Sequence, residues 1–311
     1  MNLFLQRAAA EFPETVIHFC PLSSERSEEV GRVVPDEPSI RKAHPEDSPY
    51  LLRCAQNHFR CLAWGLSLSL LIGANGRAAP ERELPAPGYV TGRKTRDGTG
   101  KYYFDREIAH YMTHEGAPWL DRPEREVEER PDLVLQALQL KPGDVAADIG
   151  CGTGYFSWRM AQAVGAQGRV YGVEIQQEML DLLAGKMKER AVTNVVGVLG
   201  TIEDPKLPQS VDLVLMVDVY HEFSHPAEMM AAICRRLKPG GRVVFIEYRG
   251  EDPAVPIKPL HKMTEAQLKK EMSVLPLTHV VTVETLPRQH LVIFQKTEGS
   301  PQRDKDTKTN R

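Results

Sequence analysis

The chain has 311 residues, 41% hydrophobic and 26% charged, enough to bury one large core with a small appendage. Its formal net charge of −3 excludes a generic binder of phosphate backbones, so a nucleic-acid partner would need a local basic patch. Five cysteines, Cys20, Cys54, Cys61, Cys151 and Cys234, are odd in number and irregularly spaced; they fit neither a disulfide framework nor paired zinc knuckles and read as reduced thiols.

In chain order, residues 1–60 show no sustained hydrophobic period, and Pro35, Pro38, Pro45 and Pro49 interrupt a charged stretch, so little packed structure is expected there. Arg53 and Arg60 then precede an apolar run over 61–72, and small residues follow at 74–78, the three parts of an export signal. The run is too short for a permanent membrane span. Its position inside the chain leaves two readings open: a start near residue 51, with 1–50 not made, or an apolar helix in a long leader. Pro80, Pro85, Pro87, Gly88 and the glycines that follow predict a linker over 79–100. A helical lid is expected over 101–140, as one helix over 102–114 and a second over 125–138, and Lys141-Pro142-Gly143-Asp144 ends it.

From residue 145 the pattern alternates. Strands rich in Val and Ile are expected at 145–150, 169–175, 195–200, 211–219 and 242–248, with helices at 155–164, 177–190 and 226–237 between them. Such alternation predicts right-handed crossovers and a mostly parallel sheet. A further helix at 264–275 is followed by two apolar runs, 279–286 and 290–296, joined by only three residues, so the last strand must run antiparallel. Residues 298–311 read as a flexible polar tail.

The chemistry concentrates at Asp148-Ile149-Gly150-Cys151-Gly152-Thr153-Gly154, which closes one strand and opens one helix, with Glu174 at the end of the next strand. Glycines there permit a tight turn and close approach of a ligand, and a carboxylate at Glu174 can accept both hydroxyls of a ribose. A dinucleotide fingerprint would place a glycine at 155, where this chain has Tyr155, and Asp148 would repel a pyrophosphate. The arrangement favours a nucleoside carrying a cationic amino acid.

With those motifs, with 210–215 leading to Asp218, and with Leu237-Lys238-Pro239-Gly240-Gly241-Arg242 before the fifth strand, the chain resembles the class I S-adenosylmethionine-dependent methyltransferases over about 125–297, nearest their quinone-biosynthesis branch. The resemblance implies a doubly wound, Rossmann-like α/β fold: a seven-stranded, mostly parallel sheet with an antiparallel terminal hairpin and a methyltransferase domain over 141–297. It implies S-adenosylmethionine as cofactor, with Asp148, Gly150, Cys151, Gly152 and Gly154 at the methionine part, Glu174 at the ribose, Glu203 or Asp204 (Asp204 the choice) at the adenine, and Ile175 and Asp218 among the other cofactor-binding residues. Cys151 is a small filler in that motif and not a nucleophile.

Methyl transfer from a sulfonium is an in-line displacement, in which positioning supplies most of the catalysis. The acceptor is expected outside the end of the fourth strand, at Asp218-Val219-Tyr220-His221-Glu222, which lacks the prolines typical of amino-directed relatives. That leaves oxygen, sulfur or carbon acceptors, with His221 as base and Glu222 as its support. Tyr103, Arg106, His110, Trp119, Tyr220 and His261 are expected to line the acceptor side. His110 and His114 would share a helix face, but two histidines are too few for a metal site, and none is expected. The partner is therefore a small-molecule methyl acceptor, not nucleic acid. Methylation of protein or RNA is the alternative, and a non-catalytic nucleoside-binding protein or a nicotinamide dehydrogenase more distant ones. The donor is made in the cytosol, which favours a cytoplasmic enzyme, against the export reading of 53–78.

Overall fold

A computed structural model of the chain describes residues 88–297. The expected leader, signal-like run and tail, and the first part of the linker, lie outside the described residues.

The central sheet has the strands β4 (Val145–Ile149), β5 (Arg169–Glu174), β6 (Val195–Leu199), β7 (Val211–Val217), β8 (Leu237–Tyr248), β9 (Leu277–Val283) and β10 (Gln289–Lys296), in the order β6-β5-β4-β7-β8-β10-β9. The first five strands in that order pair in parallel, and β10 runs antiparallel to both of its neighbours. The strands in the middle of this sheet are buried on both faces, hence their runs of Val, Ile and Leu. One face carries a core around Val214, Met216, Tyr220, Met230, Ile233 and Phe245; the other packs Val134, Leu138, Met160, Leu213, Leu215 and Ile246.

Helices α4 (Ser157–Val164), α5 (Gln177–Glu189) and α6 (Pro226–Arg236) make the crossovers, within two residues of their expected bounds. Each buries one apolar stripe, such as Met229, Met230, Ile233 and Cys234 of α6, at helical spacing. The expected helix near 264–275 is the helix Glu265–Met272, whose N-cap Thr264 accepts a hydrogen bond from the Gln267 amide at 3.0 Å. Register places the ends of β4, β5 and β7 level with one another: Ile149 pairs with Val173 on one side and Met216 on the other. The glycine turn, Glu174 and Asp218 consequently emerge together on one edge.

The segment ahead of this sheet departs from expectation. Residues 102–113 are not helical. Residues 102–109 form the hairpin end of a three-stranded antiparallel sheet of β1 (Tyr89–Thr91), β2 (Gly98–Tyr103) and β3 (Arg106–Ala109), so the second half of the expected linker is also structured. Phe104 and Asp105, both at positive φ (47° and 68°), make the two-residue turn of the β2–β3 hairpin. After the short helix α1 (Ala117–Leu120), the second expected helix exists in two pieces, α2 (Arg125–Glu129) and α3 (Pro131–Leu138), broken at Arg130, which has φ 48° ahead of Pro131. Among the described residues no helix is long and apolar enough to cross a membrane.

Candidate active site

The turn after β4 is shaped by backbone that only glycine adopts cheaply. Gly150 and Gly152 have φ of 68° and 54°, and a Cβ at Gly150 would sit 2.4 Å from Val219 Cγ2. The Gly150 and Cys151 amides donate to the Val173 carbonyl at 2.9 and 3.1 Å, which ties the turn to the end of β5. The Gly152 amide donates to Glu174 Oε1 at 2.9 Å, and the Ile175 amide donates to Oε2 at 3.0 Å. Each Glu174 oxygen therefore keeps acceptor capacity for a ligand hydroxyl. Burial raises its pKa, against the opposing pull of those N–H groups.

Two cavities open along this edge. The larger, of about 410 Å³, is bounded by Gly150, Gly152, Glu174, Asp218, His221, Glu222 and His261, with Trp119, Leu120 and Ile257 among its apolar walls. The smaller, of about 90 Å³, lies between Ile175 and Ile202, beside Phe223. Glu174, Gly150, Val219 and Glu222 border both. A strap at 111–114 crosses between them: the Met112 amide donates to Glu222 Oε2, the His114 amide donates to Gln176 Oε1 at 2.8 Å, and Gln176 Nε2 donates to the Met112 carbonyl.

The electrostatics call for a cation. Asp218, held at φ 49°, lines the larger cavity; Gln289 Nε2 donates to its Oδ2, while the buried Oδ1 has no partner. Burial, and then the carboxylates of Glu129 and Glu247, push its pKa well above the usual carboxylate range. Burial likewise raises Asp148 to about 6, although Ser157 Oγ donates to its Oδ2 at 2.6 Å. An orphaned carboxylate oxygen, a glycine cradle and a ribose-facing Glu174 fit S-adenosylmethionine, whose ammonium and sulfonium supply the missing positive charge.

A pH dependence follows for Asp148. Its folded pKa of about 6 lies above the ordinary carboxylate value, so folding favours the protonated form, and the stability this gives at low pH is lost as pH rises from the unfolded value through about 6. Urea unfolding of the native chain and of Asp148→Asn should show this fall, between about pH 4 and 6, only in the native chain; parallel profiles would refute the assignment.

Not every expected residue faces a cavity. Asp148 and Cys151 lie behind the turn, the cysteine Sγ close under Gly172, and Gly154 serves packing, since a Cβ there would meet Leu183 at 2.3 Å. Asp204 turns away: its oxygens accept from the amide and Nζ of Lys206, and Ile202 borders the cavity in its stead. His110 is exposed at the end of a strand, so the proposed helical face with His114 does not exist. Trp119 and His261 do line the larger cavity. Tyr103, Arg106 and Tyr220 instead form a buried support: Arg106 makes a two-pronged contact with Glu271 (2.8 and 3.1 Å), Tyr220 Oη donates to Glu271 Oε2, and Arg106 Nη1 donates to the His221 carbonyl.

His221 and Glu222 stand on the short 3₁₀ turn Tyr220–Glu222 after β7. His221 Nδ1 lies 2.7 Å from Glu247 Oε2, a fully buried carboxylate of β8 that the sequence reading missed. Burial works against a charged His221, yet Glu247 and Glu222 outweigh it and hold the pKa up to about 10. Burial works to raise Glu222, but His221 and His261 bring it down to about 2.

A family model described as a methyltransferase domain matches residues 140–303, more than half of the chain. The chain is 30% identical over 115 residues to a demethylmenaquinone methyltransferase of Geobacillus, covering 37% of this chain and 49% of that protein. It is 30% identical over 120 residues to a ubiquinone/menaquinone biosynthesis C-methyltransferase of Francisella philomiragia, covering 38% and 47%. The chain thus spans about half the length of these curated relatives. A solved SAM-dependent methyltransferase from Aquifex aeolicus superposes with a TM-score of 0.57 at 23% identity, covering 60% of this chain and all of that one, and shares the fold. Strand order, glycine turn, ribose carboxylate and the family match converge, and the chain belongs to the class I S-adenosylmethionine-dependent methyltransferases.

Proposed function

We propose that this enzyme methylates a small hydroxylated ring of quinol type, at carbon or oxygen. The observation that carries the reading is the polar cluster His221, Glu222 and His261, set beside the apolar side chains of Trp119, Leu120 and Ile257 in the same cavity that Gly150, Gly152 and Glu174 border. Glu174 and the turn at Gly150 and Gly152 would hold the nucleoside, Ile175 and Ile202 would flank the adenine, and Asp218 Oδ1 would take the ammonium. The bound cofactor supplies an activated methyl on a sulfonium; the chain's part is to align and dehydrate it.

Trp119, Leu120 and Ile257 offer a flat apolar ring its contacts, and the cluster gives a ring hydroxyl its polar partner. The two quinone-pathway relatives support a ring acceptor of this kind. Transfer moves the methyl from sulfur to the ring and leaves a neutral thioether, while the acceptor's proton is released. Incubating the chain with donor labelled in its methyl group and a panel of quinols, phenols, thiols and fatty acids tests this. Label is expected in quinols or phenols. Label confined to thiols or fatty acids, or found only in protein or RNA of a cell extract, would overturn it.

A further inference from the structure

The three polar ends that close the acceptor side of the cavity converge on one another. His221 Nε2 lies 3.2 Å from His261 Nδ1 and 3.6 Å from Glu222 Oε1, and His261 Nδ1 lies 3.3 Å from the same oxygen. They form a nearly equilateral triangle of two nitrogens and one oxygen, and all three residues border the cavity. A point about 2 Å from all three lies just off their plane, the distance at which imidazole nitrogen and carboxylate oxygen bind zinc. Once an incoming ion displaces the proton that His221 otherwise holds, two ring nitrogens and one carboxylate oxygen offer three lone pairs to one centre, and that proton leaves to solvent.

Two of the groups are also held from behind. His221 gives its other ring nitrogen to Glu247 at 2.7 Å, which leaves Nε2 directed at the triangle. Glu222 uses its other oxygen, Oε2, to accept from the Met112 amide. His221 and Glu247 are almost wholly buried, whereas His261 sits on the short turn Pro259–His261, so the triad joins a rigid strand end to a surface loop.

We propose that His221 Nε2, Glu222 Oε1 and His261 Nδ1 form a site for one divalent first-row transition ion, zinc by its donor set, with the remaining coordination positions open to the acceptor. Two imidazoles and a carboxylate suit zinc better than magnesium or calcium, which favour all-oxygen shells. The role of the ion rests on the methyltransferase reading above: it would hold the acceptor's oxygen and favour loss of its proton. Its binding does not depend on that reading. Glu247 is then a positioning residue that acts through His221.

The test uses the full chain, purified without a histidine tag, stripped with EDTA and titrated with Co²⁺ as a spectroscopic stand-in and with Zn²⁺ in competition. One equivalent of Co²⁺ is expected to bind with the visible absorption of a four- or five-coordinate site, and zinc should abolish that spectrum. His261→Ala and Glu222→Gln should lose saturable binding, and Glu247→Gln should weaken it about 10–100-fold, with circular dichroism and urea unfolding to show that each variant is folded and donor binding measured separately by calorimetry. Native chain that binds the donor but no Co²⁺, or Co²⁺ binding unchanged in the His261 and Glu222 variants, overturns the ion site and leaves the methyltransferase reading standing. A Co²⁺ spectrum lost in those variants, with no donor bound by the native chain, supports the ion site and counts against the methyltransferase reading.

Discussion

Replacing Glu271 by alanine is expected to cost about 3–5 kcal/mol of folding stability, the range for breaking a buried ion pair. Glu271 is fully buried and accepts from four donors: Arg106 Nε and Nη2, Tyr220 Oη, and Gln267 Nε2. Those donors come from β3, from the turn that carries His221, and from the helix Glu265–Met272, so one carboxylate fastens the amino-terminal sheet to the acceptor side of the domain. Its loss strands the Arg106 guanidinium, itself nearly inaccessible, with only the His221 carbonyl as partner. Urea unfolding should show the midpoint fall with little change in slope. Tyr220→Phe removes one of these bonds and should cost only about 1 kcal/mol. A loss below about 1 kcal/mol for Glu271→Ala would mean that the buried charges are solvated in a way the structure does not contain.

The second large effect concerns donor binding. Glu174→Ala is expected to weaken binding of S-adenosylmethionine by at least about 100-fold, because two hydrogen bonds from ribose hydroxyls to a charged carboxylate are worth about 1.5–3 kcal/mol each. The damage reaches the glycine turn as well, since the Gly152 and Ile175 amides lose their acceptor. Glu174→Gln keeps one acceptor oxygen and should fall between the two. Calorimetry on all three proteins separates the outcomes, and an alanine variant that binds the donor as tightly as the native chain would place the ribose elsewhere.

The alternating half of the chain was legible because its signals are local. Strands such as Val211–Val217 are apolar runs bounded by turn residues, and the short link read at 287–289, which the structure places at 284–288, admits only a hairpin. Asp148, Gly150, Gly152 and Glu174 were read from spacing along one βαβ unit, and the structure places them around a single turn. The β2–β3 hairpin was misread because its turn uses Phe104 and Asp105 at positive φ, without the glycine or asparagine that marks such turns. Gly98 and Gly100 were read as the end of a linker, whereas they begin β2. Glu247 was hidden in an apolar strand, where its carboxylate makes sense only with His221 beside it. The meeting of His261 with Glu222 was beyond reach of any period, since it depends on where an irregular excursion returns to the sheet. Asp204 stands apart for a different reason: its carboxylate accepts from Lys206 on its own loop, and apolar Ile202 borders the cavity.

The strap at 111–114 is held through its main chain: the amides of Met112 and His114 and the carbonyl of Met112 are the groups that Glu222 and Gln176 grasp. The instructions for seating it are therefore inherited at positions 176 and 222, not in the strap itself. Descendants of this chain can rewrite the side chains of Tyr111 and Met112, which border the cavities, to suit different guests without surrendering the closure, a division of labour that lets selectivity drift while the strap keeps its seat.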